Sequence, residues 1–177
     1  MYAVIMAGGR GSRFWPKSRE RLPKHLLDIF GGKTIIQETV ARVLPLVPPE
    51  KILIVTGESH AEALISQLPE LPRESILVEP VGRNTAPCIG WAAAEVARRN
   101  PEEVMLVLPS DQLIVDTERF RAVLAAAAEA AARGDFLVTI GIPPTGPETG
   151  YGYLECGEKA FESGGEEIFR VASIREK

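Results

Sequence analysis

Short, largely apolar runs recur along the chain, at 2–6, 51–56, 75–79, 104–108 and 136–142. Between them the apolar positions change to helical spacing, as with Ile36, Val40 and Val43. Thr34-Ile-Ile-Gln37 reads as a capping box opening that helix, and Pro45 with Pro48-Pro49 closes it. Ser59-His-Ala-Glu62 reads as a second capping box with a short helix behind it. The spacing predicts a third helix over 85–100, with Pro87 tolerated in its first turn. An alanine-rich fourth helix starts at Asp116 or Thr117 and stops at Gly134. An apolar–polar strand over 169–177 ends the chain. Strands apolar on both faces, alternating with helices, predict an α/β, Rossmann-like, mostly parallel sheet with helices on both faces.

Ligands of such sheets bind beyond the carboxyl ends of the strands, and four unusual stretches stand there. After Met6 come Gly8, Gly9 and Gly11, then the cations Arg10, Arg13, Lys17, Arg19, Arg21 and Lys24. Glycines let backbone amides approach a ligand, and consecutive amides make a concavity that suits anions. A polyphosphate site is the functional reading, and a tight turn with a solvated basic surface is the plain one. The P-loop pattern is absent, because Gly32-Lys33-Thr34 has Leu27 where its first glycine belongs. The dinucleotide pattern fails at Phe14.

The second stretch is Glu79-Pro-Val-Gly-Arg-Asn-Thr-Ala-Pro87, where Asn84 could read a base edge, or Thr85 could simply cap a helix. In the third, Pro109-Ser110-Asp111, a lone carboxylate is sufficient for Mg2+, which takes few protein ligands besides water and phosphates. An Asx turn is the alternative. The fourth, Pro143 to Tyr153, is a Pro/Gly loop bearing two tyrosines.

With 177 residues, 45% of them hydrophobic, the chain can bury one substantial core and reads as a single domain, 1–177. A net charge of −4 makes the basic cluster local and argues against a nucleic-acid partner. No run approaches the ~18 apolar residues of a membrane helix, so no membrane partner is expected. Cys88 and Cys156 are too few for a disulfide or metal framework. His60 reads as a solvated surface residue, and Cys88 as packing. A cytoplasmic location is expected, and a homo-oligomer is compatible with the sequence.

Taken together, Ala7-Gly-Gly-Arg-Gly-Ser-Arg13, Trp15-Pro16 and Leu22-Pro23-Lys24 resemble the signature of the sugar-1-phosphate nucleotidyltransferases. Gly-Arg-Asn-Thr-Ala-Pro at 82–87 resembles the mannose-1-phosphate guanylyltransferase (GDP-mannose pyrophosphorylase) branch, as do Pro-Ser-Asp at 109–111, Thr-Gly-Tyr-Gly-Tyr at 149–153 and the terminal Glu-Lys. Departures are Ser12 for threonine, His25 for glutamine and Gln112 for histidine.

The resemblance implies a nucleotide-diphospho-sugar transferase fold. It further implies that GTP and mannose 1-phosphate give GDP-mannose and pyrophosphate with Mg2+. Carried over residue by residue, Ala7, Gly8, Gly9, Gly11, Ser12, Gly82, Arg83, Asn84 and Thr85 would bind nucleotide. Arg13, Lys24 and Asp111 would be catalytic, with Asp111 on the metal. Tyr151, Gly152, Glu176 and Lys177 would bind the sugar phosphate. Two alternatives remain at this point: a related enzyme of other nucleotide or sugar specificity, and a non-catalytic nucleotide-binding relative. In the resembling family Glu-Lys-Pro lies well inside the protein. A chain stopping at Lys177 is therefore expected to be a fragment with an open sugar side and an exposed apolar edge near Val171 and Ile174.

Overall fold

A computed structural model describes residues 1–9, 15–19, 23–29 and 31–176. It falls into two compact units, Met1–Thr117 and Glu118–Lys177.

The first unit is built on β1 (Tyr2–Met6), β2 (Ile52–Gly57), β3 (Ile76–Glu79) and β4 (Met105–Pro109). All pair in parallel, in the order β3-β2-β1-β4. The helices are α1 (Ile35–Val43), α2 (Glu58–Gln67) and α3 (Thr85–Arg99). The chain steps outward from β1 through α1 to β2 and through α2 to β3. It then returns through α3 to β4 on the other side of β1. Right-handed crossovers therefore put α1 and α2 on one face and α3 on the opposite one.

Side-chain alternation agrees with that layering. Tyr2, Val4, Leu53 and Val55 pack against Cys88, Ala92 and Val96 of α3. Their strand neighbours Ala3, Ile5, Ile52 and Ile54 point the other way and are equally inaccessible. Burial of each large aliphatic side chain contributes roughly 1.5–3 kcal/mol. Reversal of direction at β1 leaves a crevice between the carboxyl ends of β1 and β4, the place where open sheets of this kind bind ligands.

The helix starts are local chemistry. At α1 the Thr34 N–H donates to Gln37 Oε1 (2.9 Å), the expected return half of the capping box. Thr34 Oγ1 and Gln37 Nε2 reach on to Gln67, fastening the start of α1 to the end of α2. The second expected box does not form: α2 begins at Glu58 with Gly57 as its cap, so Ser59 is already inside the helix. At α3 the cap is Asn84 rather than Thr85.

The second unit holds most of α4 (Thr117–Ala131) and an antiparallel pair, β5 (Tyr153–Ser163) and β6 (Glu166–Arg175). Gly164 and Gly165, both at positive φ, make the turn between these strands. The segment 136–142 is not a strand, contrary to its apolar pattern. Leu137 and Ile142 are exposed, and among the described residues no neighbouring strand takes up its backbone groups. An apolar run alone does not make a strand without a partner to satisfy its N–H and C=O groups. Val171 and Ile174 are exposed on β6, as the sequence led us to expect, and Phe169 is exposed with them. Among the described residues no helix is long and apolar enough to cross a membrane.

Candidate active site

Buried strands aim the crevice residues. Ala7 leaves β1 fully buried, with its N–H donating to Val55 O (2.8 Å) and its carbonyl accepting from Thr56 Oγ1 (3.2 Å). Ala7 therefore anchors the turn, while Gly8 and Gly9 beyond it are exposed. Gly9 has a φ of 117°, a conformation that favours glycine. A Cβ on Gly8 would lie 3.3 Å from Glu79 Oε2. Gly11, Ser12 and Arg13 of the same motif lie outside the described residues.

Across the crevice β4 ends at Pro109, and the Ser110 N–H donates to Met6 O (3.2 Å), which locks the two strand ends together. Ser110 is buried and Asp111 emerges beside it. The Asp111 carboxylate is ion-paired with the ammonium of Lys24, and both side chains keep between a fifth and a third of their surface exposed. Lys24 stands on a short 3-10 turn, Lys24–Leu26, pinned by buried His25, Leu26 and Leu27. The structure thus brings together Lys24 and Asp111, two predicted catalytic residues far apart in sequence.

A divalent cation fits this carboxylate. No group of three or more His, Cys, Asp or Glu able to hold a metal occurs among the described residues. One accessible carboxylate beside a glycine turn suits Mg2+, which fills its shell mostly with water and phosphate oxygens.

Gly82, Arg83, Asn84 and Thr85 are all exposed ahead of α3, whose amino end carries partial positive charge. Asn84 has φ 64° and ψ −166°, a region that side chains other than glycine's rarely enter. Glu79, at the end of β3, was not singled out by the sequence. Its carboxylate approaches the positions a Cβ would take on both Gly8 and Gly82. It is thus an acceptor set between the glycine turn and the loop that precedes α3. Nothing local distinguishes it from any strand-ending acid; only the sheet order places it there.

Two buried groups respond to this environment. Burial pushes the Cys88 thiol up to about 11, and the Glu79 carboxylate adds to the effect. Cys88 otherwise packs in the core, as expected. Burial pushes His25 down to about 4, with His60 and Lys24 lowering it further and Asp111 opposing them. Among the described residues neither ring nitrogen of His25 has a hydrogen-bond partner. Its ring meets the His60 ring edge-on at 5.6 Å, so His60 is a packing neighbour and not the solvated residue its sequence suggested.

Within the second unit, Tyr151, Gly152 and Glu176 come together as the motif order implied. Tyr151 and Glu176 line an open pocket of about 720 Å³ with Pro144, Glu148 and Tyr153. Tyr153 Oη accepts from the Glu148 N–H (2.8 Å), and Glu148 Oε1 accepts from the Gly150 N–H (2.8 Å), so the loop is held by its own hydrogen bonds. A Cβ on Gly152 would sit 3.3 Å from Arg175 O. Lys177 lies outside the described residues.

Comparison with known proteins agrees with this arrangement. The nucleotidyl transferase family matches residues 2–177. Mannose-1-phosphate guanylyltransferase of Escherichia coli (strain K12) is 43% identical over 181 residues, spanning 100% of this chain and 37% of that protein. The xanthan biosynthesis protein XanB of Xanthomonas campestris pv. campestris (strain B100) is 45% identical over 156 residues, spanning 87% of this chain and 33% of that protein. The chain thus spans about a third of the length of these relatives. Among solved structures, one described as mannose-1-phosphate geranyltransferase from Thermus thermophilus superposes with a TM-score of 0.86 at 41% identity, over 99% of this chain and 50% of that one. A putative glucose-1-phosphate thymidylyltransferase from Bacillus anthracis, at 20% identity and a TM-score of 0.67, shares the fold over 99% of this chain and 64% of that one. With this sheet, this crevice and a match along its whole length, the chain belongs to the nucleotidyl transferase family.

Proposed function

We propose that the chain carries the catalytic crevice of a mannose-1-phosphate guanylyltransferase. The observation that carries this is the Lys24–Asp111 ion pair beside the Gly8–Gly9 turn, at the carboxyl ends of β1 and β4. A phosphate oxygen of mannose 1-phosphate attacks the α-phosphorus of GTP. The bond from that phosphorus to the β-phosphate bridging oxygen breaks, and pyrophosphate leaves with the electron pair. Transfers of this kind depend on positioning and charge neutralisation. The amides of Gly8, Gly9 and Gly11, with Ser12 and Arg13, take the departing phosphates. Lys24 neutralises the α-phosphate region. Asp111 would hold Mg2+, which supplies charge neutralisation for the phosphates when bound. Tyr151, Gly152, Glu176 and Lys177 receive the sugar phosphate. The reading sets the reaction in the cytoplasm, where nucleoside triphosphates are abundant.

Selection of guanine follows from Glu79. A carboxylate accepts two parallel N–H bonds, and guanine offers such a pair at N1 and N2. Adenine offers no such pair. The names of the similar proteins favour the same substrates, since the Escherichia coli relative is a mannose-1-phosphate guanylyltransferase. Pyrophosphate release measured with mannose 1-phosphate and GTP, ITP or ATP tests the reading. The expected order of kcat/KM is GTP, then ITP, then ATP, and Glu79→Gln narrows the gap. Equal use of ATP and GTP would refute the guanine assignment. Release with none of the three would refute the transferase reading for this chain.

A further inference from the structure

Asp111 does not stand on strand geometry alone. Two side chains of α1 reach the backbone on either side of it. Thr39 is buried, and its single hydroxyl proton lies between Ile35 O (2.9 Å) and Ser110 O (3.2 Å). Arg42, also buried, donates from Nη2 to Gln112 O at 3.4 Å. Residues three apart on a helix share a face, so Thr39 and Arg42 contact the loop together. Their targets are the carbonyls of Ser110 and Gln112, the residues on either side of Asp111. On the strand side, the Ser110 N–H is bonded to Met6 O.

Burying a guanidinium is costly unless it is paired and hydrogen-bonded, and burying a hydroxyl is costly without a partner. A helix that needed only to cover the sheet would present aliphatic side chains here, as α1 does at Ile36, Val40 and Val43. The polar pair instead meets the loop that carries Asp111. Backbone held at the peptide before Asp111 and at the carbonyl of the residue after it restricts the direction in which Asp111 leaves the loop. It restricts likewise the reach of the Asp111 carboxylate toward Lys24 and toward a phosphate-bound cation.

We propose that Thr39 and Arg42 are positioning residues for Asp111, acting through the carbonyls of Ser110 and Gln112. The proposal rests on the metal-binding role given to Asp111 above. Loss of such outer contacts around a metal site typically costs about 10–100-fold in affinity or activity.

The test is a double-mutant cycle on Mn2+ binding, read by electron paramagnetic resonance with GTP present. Variants are Thr39→Val, Thr39→Ser, Arg42→Met and Asp111→Asn, each alone, and Thr39→Val with Asp111→Asn. Thr39→Val and Arg42→Met are expected to weaken Mn2+ about tenfold. Thr39→Ser, which keeps the hydroxyl, restores near-normal affinity. In the Asp111→Asn background Thr39→Val has little further effect, because the carboxylate it serves is gone. Full additivity in that background overturns the proposal, as does a lower melting temperature with unchanged Mn2+ affinity. If Asp111→Asn leaves Mn2+ binding untouched, the metal role of Asp111 falls, and this proposal falls with it.

Discussion

Gly8 follows β1, whose Ala3, Val4 and Ile5 are wholly buried, and Asp111 follows β4, which is anchored by buried Leu106 and Leu108. Around Tyr151 and Glu176 the backbone is held by turn hydrogen bonds and by a hairpin whose large side chains, Leu154, Phe169, Val171 and Ile174, remain exposed. Both regions gather candidate site residues, but by different means. In the first, a groove wall is as rigid as the core behind it. In the second, position depends on proline, glycine and Glu148 at single points. Core damage should therefore disturb the crevice at Gly8 and Asp111, while the loop around Tyr151 should respond chiefly to changes in its own turns.

The largest contrast is in stability. Ile54→Ala should cost about 2–5 kcal/mol, the usual range for aliphatic truncation in a packed core. Urea unfolding followed by Trp91 fluorescence reads it out, since Trp91 lies on α3, which packs on the same sheet. A loss below ~1 kcal/mol, well under that range, would mean the sheet does not hold the crevice as described.

Asp111→Asn should lower turnover by about 10²–10³-fold, the scale of removing one preorganised electrostatic group. Because the Lys24–Asp111 pair is partly exposed, its loss should change stability by less than about 1 kcal/mol. Full turnover at saturating Mg2+ would remove Asp111 from the site.

Acid should weaken the first region through His25. Its folded pKa is lowered to about 4 from 6.5, so the folded state binds fewer protons than the unfolded one between those values. Stability is complete above the unfolded pKa and falls as the pH drops from about 6.5 toward 4, by ~3 kcal/mol at most. His25→Gln should flatten the melting temperature across that window. An unchanged pH profile in His25→Gln would show that another group carries the acid sensitivity.

Gly8→Ala is a smaller change. The added methyl would sit 3.3 Å from Glu79 Oε2, so the carboxylate must shift. KM for GTP should rise about tenfold, the effect of the ~1.4 kcal/mol that mild overpacking costs. An unchanged KM would place Glu79 away from the base. Smallest of all is Ile174→Ser on the exposed face of β6. It should stay within about 0.5 kcal/mol of wild type, as surface substitutions do.

The sequence made the first region readable because continuous apolar runs can hardly be anything but buried parallel strands, and turns after them fall where ligands bind. The same rule overreached at 136–142, where apolar character is present and a pairing edge is not. It also missed β5, whose alternation is broken by the register shifts between Glu155 and Phe161. In the site, Lys24 and Asp111 were legible through motif order. The placements of Glu79, Thr39 and Arg42 were not, since only the folded sheet brings Glu79 beside Gly8, and Thr39 and Arg42 beside Ser110 and Gln112. His60 was misjudged for the same reason, because its packing partner His25 lies far away in the chain.

Backbone NMR of the 19.2 kDa chain during titration with GTP and Mg2+, and then with mannose 1-phosphate, probes the two regions separately. The account predicts that GTP shifts the amides of Gly8, Gly9, Gly82, Asn84 and Asp111, and that mannose 1-phosphate shifts those of Tyr151, Gly152 and Glu176. GTP shifts confined to the loop around Tyr151, or absent from Gly8 and Asp111, would contradict it.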